Sequence, residues 1–225
     1  MNRILRLLMQ GQFICPIAYE SEYLWLLEGS NQSQVDQWLA QIEMRLARTH
    51  EDGAFFAAPL SLQSSDVTRV RDSLKHFRDT YGPMVRMFNL VREAKPEFGC
   101  VSGDFVQLAE IEQAVNESPI LEGQLRAMVP IISKSSQRFS NREVLKRMLE
   151  TMREGGYLVM ANAQNETYRV TGKIDHLHAV LEFIIEQEPI VAQTPADGDA
   201  QPQVNTDLVD AARAQANPGE DYLHG

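Results

Sequence analysis

Apolar side chains recur at helical spacing from the start of the chain, where Ile4, Leu5, Leu7 and Leu8 predict a helix that stops near Gly11. The stretch 11–16 ends in Pro16, which cannot sit inside a long helix, so it reads as a short extended segment. Tyr19, Tyr23, Leu24 and Leu27 predict a second helix closing at Gly29 and Ser30. Residues 33–48 then place Val35, Trp38, Leu39, Ile42 and Leu46 three and four apart, a long amphipathic helix with Ser33 and Asp36 as its capping box. A turn at Glu51, Asp52 and Gly53 leads into a strand over 54–57. The order is helix, strand, helix, helix, hairpin.

That order is the layout of a winged helix, in which the third helix is followed by a hairpin wing. It recurs further along the chain. Met84, Met87, Phe88 and Val91 mark a helix, Gly103 to Val106 an extended segment, and Ile111 with Val115 another helix. Gly11, Phe13 and Ile14 echo Gly103, Phe105 and Val106 at a constant offset of 92, on which Glu20 and Glu112 also fall. After an extra helix over 120–129, Ser140 and Glu143 form a capping box. It opens a helix with Val144, Leu145, Met148, Leu149 and Met152 on one face, closed by Gly155 and Gly156. The clearest hairpin pairs 157–160 with 168–171 around a polar tip at 162–165.

Val67, Val70, Leu74, Phe77 and Tyr81 give a linker helix ended by Gly82 and Pro83; Ile174, Leu177, Leu181 and Ile184 give a final one. Either stripe would serve a dimer contact or complete a core. The predicted fold is therefore mainly α with small β-hairpin wings, a pair of tandem winged helices. Its parts are a first winged-helix domain (1–60), the linker helix (61–82), a second winged-helix domain with a C-terminal helix (83–187), and a disordered acidic tail (188–225).

Charge changes the picture only when divided. The 225 residues carry a net −10, but 188–225 hold seven acids against Arg213 alone, a charge of −6. The rest is close to neutral, so the overall acidity does not exclude a surface that meets nucleic acid. Two cysteines, Cys15 and Cys100, make no disulfide framework or zinc site and read as reduced intracellular thiols. The longest apolar run near the N-terminus, 7–9, is too short for a signal or a membrane span, so the expected location is cytoplasmic, with no membrane partner.

Candidate chemistry is sparse. Arg142, Lys146 and Arg153 fall within one sector of their helix, at about 100° per residue, opposite its apolar face. In a winged helix this is the element that enters a major groove, with Lys134, Arg138 and the wing's Arg169 as further phosphate contacts. The alternative is a solvated face, with Glu143 pairing Arg147 and Lys146 pairing Glu150. The first copy sets Arg45 and Arg48 against Asp36 and Glu43, has no basic edge, and suits a protein partner, with Phe55, Phe56 and Trp25 as candidate anchors; the alternative for these aromatics, commoner in a small domain, is core.

There is no phosphate loop, dinucleotide fingerprint or nucleophile elbow. His176 and His178, two apart on a helix, point about 200° from each other and cannot share a metal. Glu110 and Glu112 read as a solvated face. No enzyme activity, cofactor or metal is expected.

With these elements in place, the chain over roughly 1–187 resembles the MksE family, the kleisin-associated subunits of MukBEF-like bacterial condensins, related in design to MukE and the small subunit of Wadjet systems. The resemblance rests on Arg6 to Ile14 followed by an aromatic-rich helix, on Arg45-Leu46-Ala47-Arg48, and on Gly156-Tyr157-Leu158 with the run from Tyr168 to Asp175. It implies a dimeric, non-enzymatic, nucleoid-associated subunit. Such a subunit binds an MksF-like kleisin and through it an MksB-like SMC ATPase, helping the complex hold DNA in chromosome organisation or plasmid restriction. A winged-helix transcription regulator is the competing reading of the same elements.

Overall fold

Eight helices and two small antiparallel sheets make up the computed structural model, which describes residues 1–60, 67–132 and 139–192. Of the described residues, 67–80, 184 and 186–192 are described by backbone course only. Ile4, Leu5 and Leu8 are buried on helix α1 (Asn2–Met9), Tyr23 and Leu26 on α2 (Glu20–Leu26), and Val35 and Leu39 on α3 (Gly29–Ala40). These faces close around Ile14 and Phe55 to form the first apolar cluster.

The sequence expectation of one helix over 33–48 is corrected here. Helix α3 begins at Gly29 and ends at Ala40, and Met44–Arg48 is a strand, β1, paired antiparallel with β2 (Phe55–Pro59). Ser33 is therefore inside the helix, where its hydroxyl donates to the Gly29 carbonyl at 2.9 Å. Glu43 breaks the helical path at φ 59°, and Asp36 Oδ1 accepts the Leu46 amide at 2.7 Å. Trp38 and Ile42, expected on the buried stripe, are exposed.

Helix α4 (Val67–Ala94) runs through Gly82 and Pro83 without ending there, a second correction. Strand β3 (Phe105–Gln107) leads into α5 (Leu108–Glu117), then α6 (Pro119–Ile132) and α7 (Asn141–Glu154). The hairpin β4 (Leu158–Asn162) and β5 (Thr167–Val170) follows, and α8 (Lys173–Ala192) extends past the expected boundary at 187. The remainder of the acidic tail lies outside the described residues. Leu125, Ile111, Leu145, Leu149, Phe88 and Leu177 represent the second, larger apolar cluster, to which α4 through α8 all contribute.

The internal repeat has a counterpart in pairing. Ile14 exchanges two backbone hydrogen bonds with Phe55 on β2, the second strand of its hairpin, at 2.8 and 2.9 Å. Ninety-two residues on, Val106 lies on β3, which pairs with β5, again the second hairpin strand, in the order β3-β5-β4. Gly11 (φ 70°) and Gly103 (φ 102°) precede the two segments at equivalent positions, each in the left-handed region that glycine enters without steric cost.

The two clusters meet at a close seam. The Gly172 amide donates to Cys15 Sγ at 3.3 Å. A Cβ at Gly172 would lie 3.0 Å from Cys15 Cβ and 3.1 Å from Ala54 Cβ. Phe13 stacks on Phe56 with ring centroids 4.8 Å apart, and the His176 ring lies 5.1 and 5.2 Å from them. His50 and Asp175 add an ion pair at 3.3 Å when the imidazole is protonated.

Gly172→Ala therefore forces a methyl group into the seam while leaving both clusters intact. We expect a loss of about 1–3 kcal/mol in stability, the usual cost of overpacking, read as a lower midpoint in urea unfolding. An unchanged midpoint would mean that Cys15 and Ala54 yield freely at this point.

Candidate functional site

The charged face centres on α7, whose start is set by its sequence. Ser140 Oγ accepts the Glu143 amide at 3.3 Å, and Glu143 Oε2 accepts the Ser140 amide at 2.8 Å, so the expected capping box forms. Arg126 on α6 steadies the same entry by donating to the Phe139 carbonyl and to Asn141 Oδ1, each at 2.7 Å. At the other end, Lys173 Nζ donates to the Gly155 carbonyl at 2.8 Å, placing a cation on the last turn. Five apolar side chains of α7 are buried, which fixes its rotation and turns Arg142, Lys146 and Arg153 outward.

All three cations are exposed and all three are answered by carboxylates. Arg142 bridges Glu112 of α5 and Glu166 at the end of the β4–β5 turn. Lys146 Nζ donates to the second oxygen of Glu166 at 2.9 Å. Arg153 pairs with Glu150 on its own helix, with Nε to Oε2 at 2.8 Å. The local pairs expected from helical spacing, Glu143 with Arg147 and Lys146 with Glu150, are not the ones that form. Instead the Arg147 guanidinium lies 4.1 Å over the Phe139 ring.

The ion pairs set the protonation of the face. The hydrogen bond to Glu112 is the main cause holding Arg142 above its ordinary value, and the hydrogen bond to Glu166 does the same for Lys146. Glu166 is pushed the other way, first by the bond from Lys146. Nothing in the local sequence pattern signals Glu166 as a partner, because its approach to α7 depends on how the hairpin folds back.

Arg169 of β5 is exposed, donates from Nε to the Gly103 carbonyl at 3.2 Å and lies 5.4 Å from the exposed Phe105 ring. Lys134 and Arg138 lie outside the described residues.

The three expected anchors do not form an exposed patch. Phe55 is 1% exposed and belongs to the first cluster, with the Arg48 guanidinium 4.3 Å over its ring, so it is corrected from surface anchor to core. Trp25 is half-buried against the same cluster, and Phe56 is half-buried at the seam. Exposed apolar positions of this half include Leu24 (57%) on α2 and Leu27 just after it, and Trp38 on α3 with Ile42 just beyond its end.

Elsewhere, burial pushes the Cys100 thiol up to about 12, which makes it a poor nucleophile. Among the described residues no group of three His, Cys, Asp or Glu side chains stands close enough to hold a metal ion. No described helix is long and apolar enough to cross a membrane.

A helical scaffold whose surface offers charged and apolar contacts has the character of an assembly subunit. The family model of the condensin complex protein MksE matches residues 1–181, and the chain belongs to that family. No curated protein matches it. Membership makes the chain an accessory subunit of a condensin complex, with its partners in that SMC-like assembly.

The seam and α8 carry a pH dependence. Burial depresses the pKa of His176, helped by nearby Lys173, and burial depresses that of His178, whose Nε2 has no hydrogen-bond partner. Both folded values lie below the ordinary 6.5, so their stabilisation is complete above about 6.5 and is lost as the pH falls through the folded values. Asp175 opposes this at lower pH, since burial raises its pKa above 3.8 despite the bond from His50. We expect the melting temperature to fall between about pH 7.5 and about pH 5.5, with a smaller fall in His178→Leu. Equal falls in the two proteins would show that His178 is not among the responsible groups.

Proposed function

We propose that this condensin subunit is a non-enzymatic tandem winged-helix protein. In this reading 1–60 and 83–187 are the two winged helices and 61–82 is the linker. The observation that carries the reading is the repeated pairing, in which the segment after each first helix lies on the second strand of the following hairpin. In a winged helix the strand between the first two helices pairs in this way, which makes α3 and α7 the two third helices and the hairpins the wings.

The functions of the two copies divide by surface. The first copy, with exposed Leu24, Leu27, Trp38 and Ile42 and no basic edge, supplies apolar area for a kleisin and thereby tethers the subunit to the SMC ATPase. The second copy brings α7 to the DNA held by the complex, with Arg142, Lys146 and Arg153 toward phosphates; Arg169, on the wing beside Gly103 and Phe105, is a separate phosphate contact. The subunit is a homodimer, cytoplasmic and nucleoid-associated, serving chromosome organisation or plasmid restriction.

Recovery of the tagged chain from its own cells tests the assembly: a kleisin and a large coiled-coil ATPase in stoichiometric amounts support the reading. A lone dimer carrying specific DNA fragments points to a transcription regulator instead. Within the assembled complex, combined Arg142→Glu, Lys146→Glu and Arg153→Glu should abolish DNA association and reduce the salt slope by about three phosphate contacts. An unchanged slope refutes the assignment of α7 to DNA.

A further inference from the structure

Arg142 and Lys146 of α7 are held by carboxylates that reach them from outside the helix, and the backbone at one of those carboxylates is strained. Glu166 sits at φ 49°, one of three non-glycine residues with positive φ in the described backbone. Such a position at the end of a hairpin turn favours Gly or Asn. Here a glutamate occupies it, and the resulting geometry sends its carboxylate back to Arg142 and Lys146 together. The Glu166 carbonyl also accepts the Leu108 amide at 3.2 Å, which ties the turn to the first residue of α5. From α5 itself, Glu112 reaches the remaining side of the Arg142 guanidinium.

Stability alone is a weak reason for this arrangement, because ion pairs among exposed cations are screened by water and salt. The geometry has a second consequence. Both carboxylates stand where phosphate oxygens would have to stand, and guanidinium binds the two anions by the same forked hydrogen bonding.

We propose that Glu112 and Glu166 form an electrostatic latch, occupying the phosphate-binding groups of α7 so that DNA engages only when it displaces them. The inference rests on the assignment of α7 to DNA and adds the regulation of that surface. The occupant displaced is the chain's own acid; the ligand admitted is the phosphate backbone of a duplex. Opening requires only that the Glu166 side chain swing off α7 and that Arg142 leave Glu112, with the helix unmoved. A duplex positioned by the rest of the complex supplies many phosphates at once, whereas a duplex meeting the surface by collision must break the pairs unaided.

The test compares DNA binding by the assembled complex, using fluorescence anisotropy of a labelled duplex over a range of salt. Glu112→Gln with Glu166→Gln keeps the side-chain volumes and removes both charges. We expect it to bind about tenfold more tightly than the wild type near physiological salt. Glu93→Gln with Glu97→Gln removes the same charge elsewhere on this half and should change affinity by less than about twofold. Adding Arg142→Ala and Lys146→Ala to the first pair should erase its gain.

Glu166→Gly, which relaxes the backbone as it opens the latch, should tighten binding without lowering the melting temperature. A fall in melting temperature would mean the Glu166 pairs are structural, and would overturn the latch. No tightening in Glu112→Gln with Glu166→Gln, or equal tightening in the control pair, would likewise overturn it. If charge reversal of α7 abolishes DNA binding while this pair changes nothing, the latch alone fails. If charge reversal leaves binding intact, the DNA assignment fails with it.

Discussion

The burial of one stripe of α7 is the constraint from which the rest of the charged face follows. Val144, Leu145, Met148, Leu149 and Met152 are all removed from water. Burying an aliphatic side chain of this size contributes about 1.5–3 kcal/mol, so five together decide how the helix is rotated. The ion pairs on the opposite side are exposed and screened, and they adapt to a rotation already set. The hairpin is placed by the same packing: the Tyr157 amide donates to the Met152 carbonyl, and Thr171 Oγ1 donates to the Gly156 carbonyl at 2.7 Å. Glu166 reaches Arg142 and Lys146 because both ends of its hairpin are fastened to the end of α7.

The seam couples this half to the first. Lys173 links three features, donating to the end of α7, lying 4.9 Å from the Tyr157 ring and 5.3 Å from the Phe13 ring. Burial lowers its pKa, because desolvation disfavours the charged ammonium. At the constant offset of 92, Phe13 occupies the position that Phe105 holds in the second copy. Phe13 is covered by Phe56 and His176, whereas Phe105 is exposed beneath Arg169. The same repeated position therefore serves internal packing in one copy and open surface in the other, and this difference breaks the symmetry between them.

Most elements with a long apolar period were legible in the chain. The capping box at Ser140, the stripe of α7 and the hairpin after it all follow from local spacing. The misreading of 33–48 has a definite cause. Leu46 follows Ile42 by four residues, so a strand beginning at Met44 extends a helical period that the backbone has already left at Glu43. Gly82 and Pro83 carry the opposite lesson, since a local stop signal was overridden within α4. Phe55 and Phe56 are adjacent on one strand and so face opposite ways, and only the pairing with Ile14 and β1 reveals that Phe55 is the one turned inward. The partners of Arg142 were beyond local reading, lying 30 residues away at Glu112 and 24 away at Glu166.

The distribution of charge bears on why such a subunit belongs in an assembly. In a chain of net −10, Arg142, Lys146 and Arg153 of α7 are each paired with acids of the same molecule. Free in solution, this surface would present little attraction to a distant phosphate, because opposite charges a few ångströms apart cancel beyond a Debye length of about 8 Å. Close contact is different, since a phosphate held against the helix competes with each carboxylate for the same donors. Under the proposed assignment of α7 to DNA, affinity on such a surface depends on how long the duplex is kept near it. Under that assignment, this charge pattern suits a subunit whose contribution to DNA binding is conditional on its neighbours in the complex.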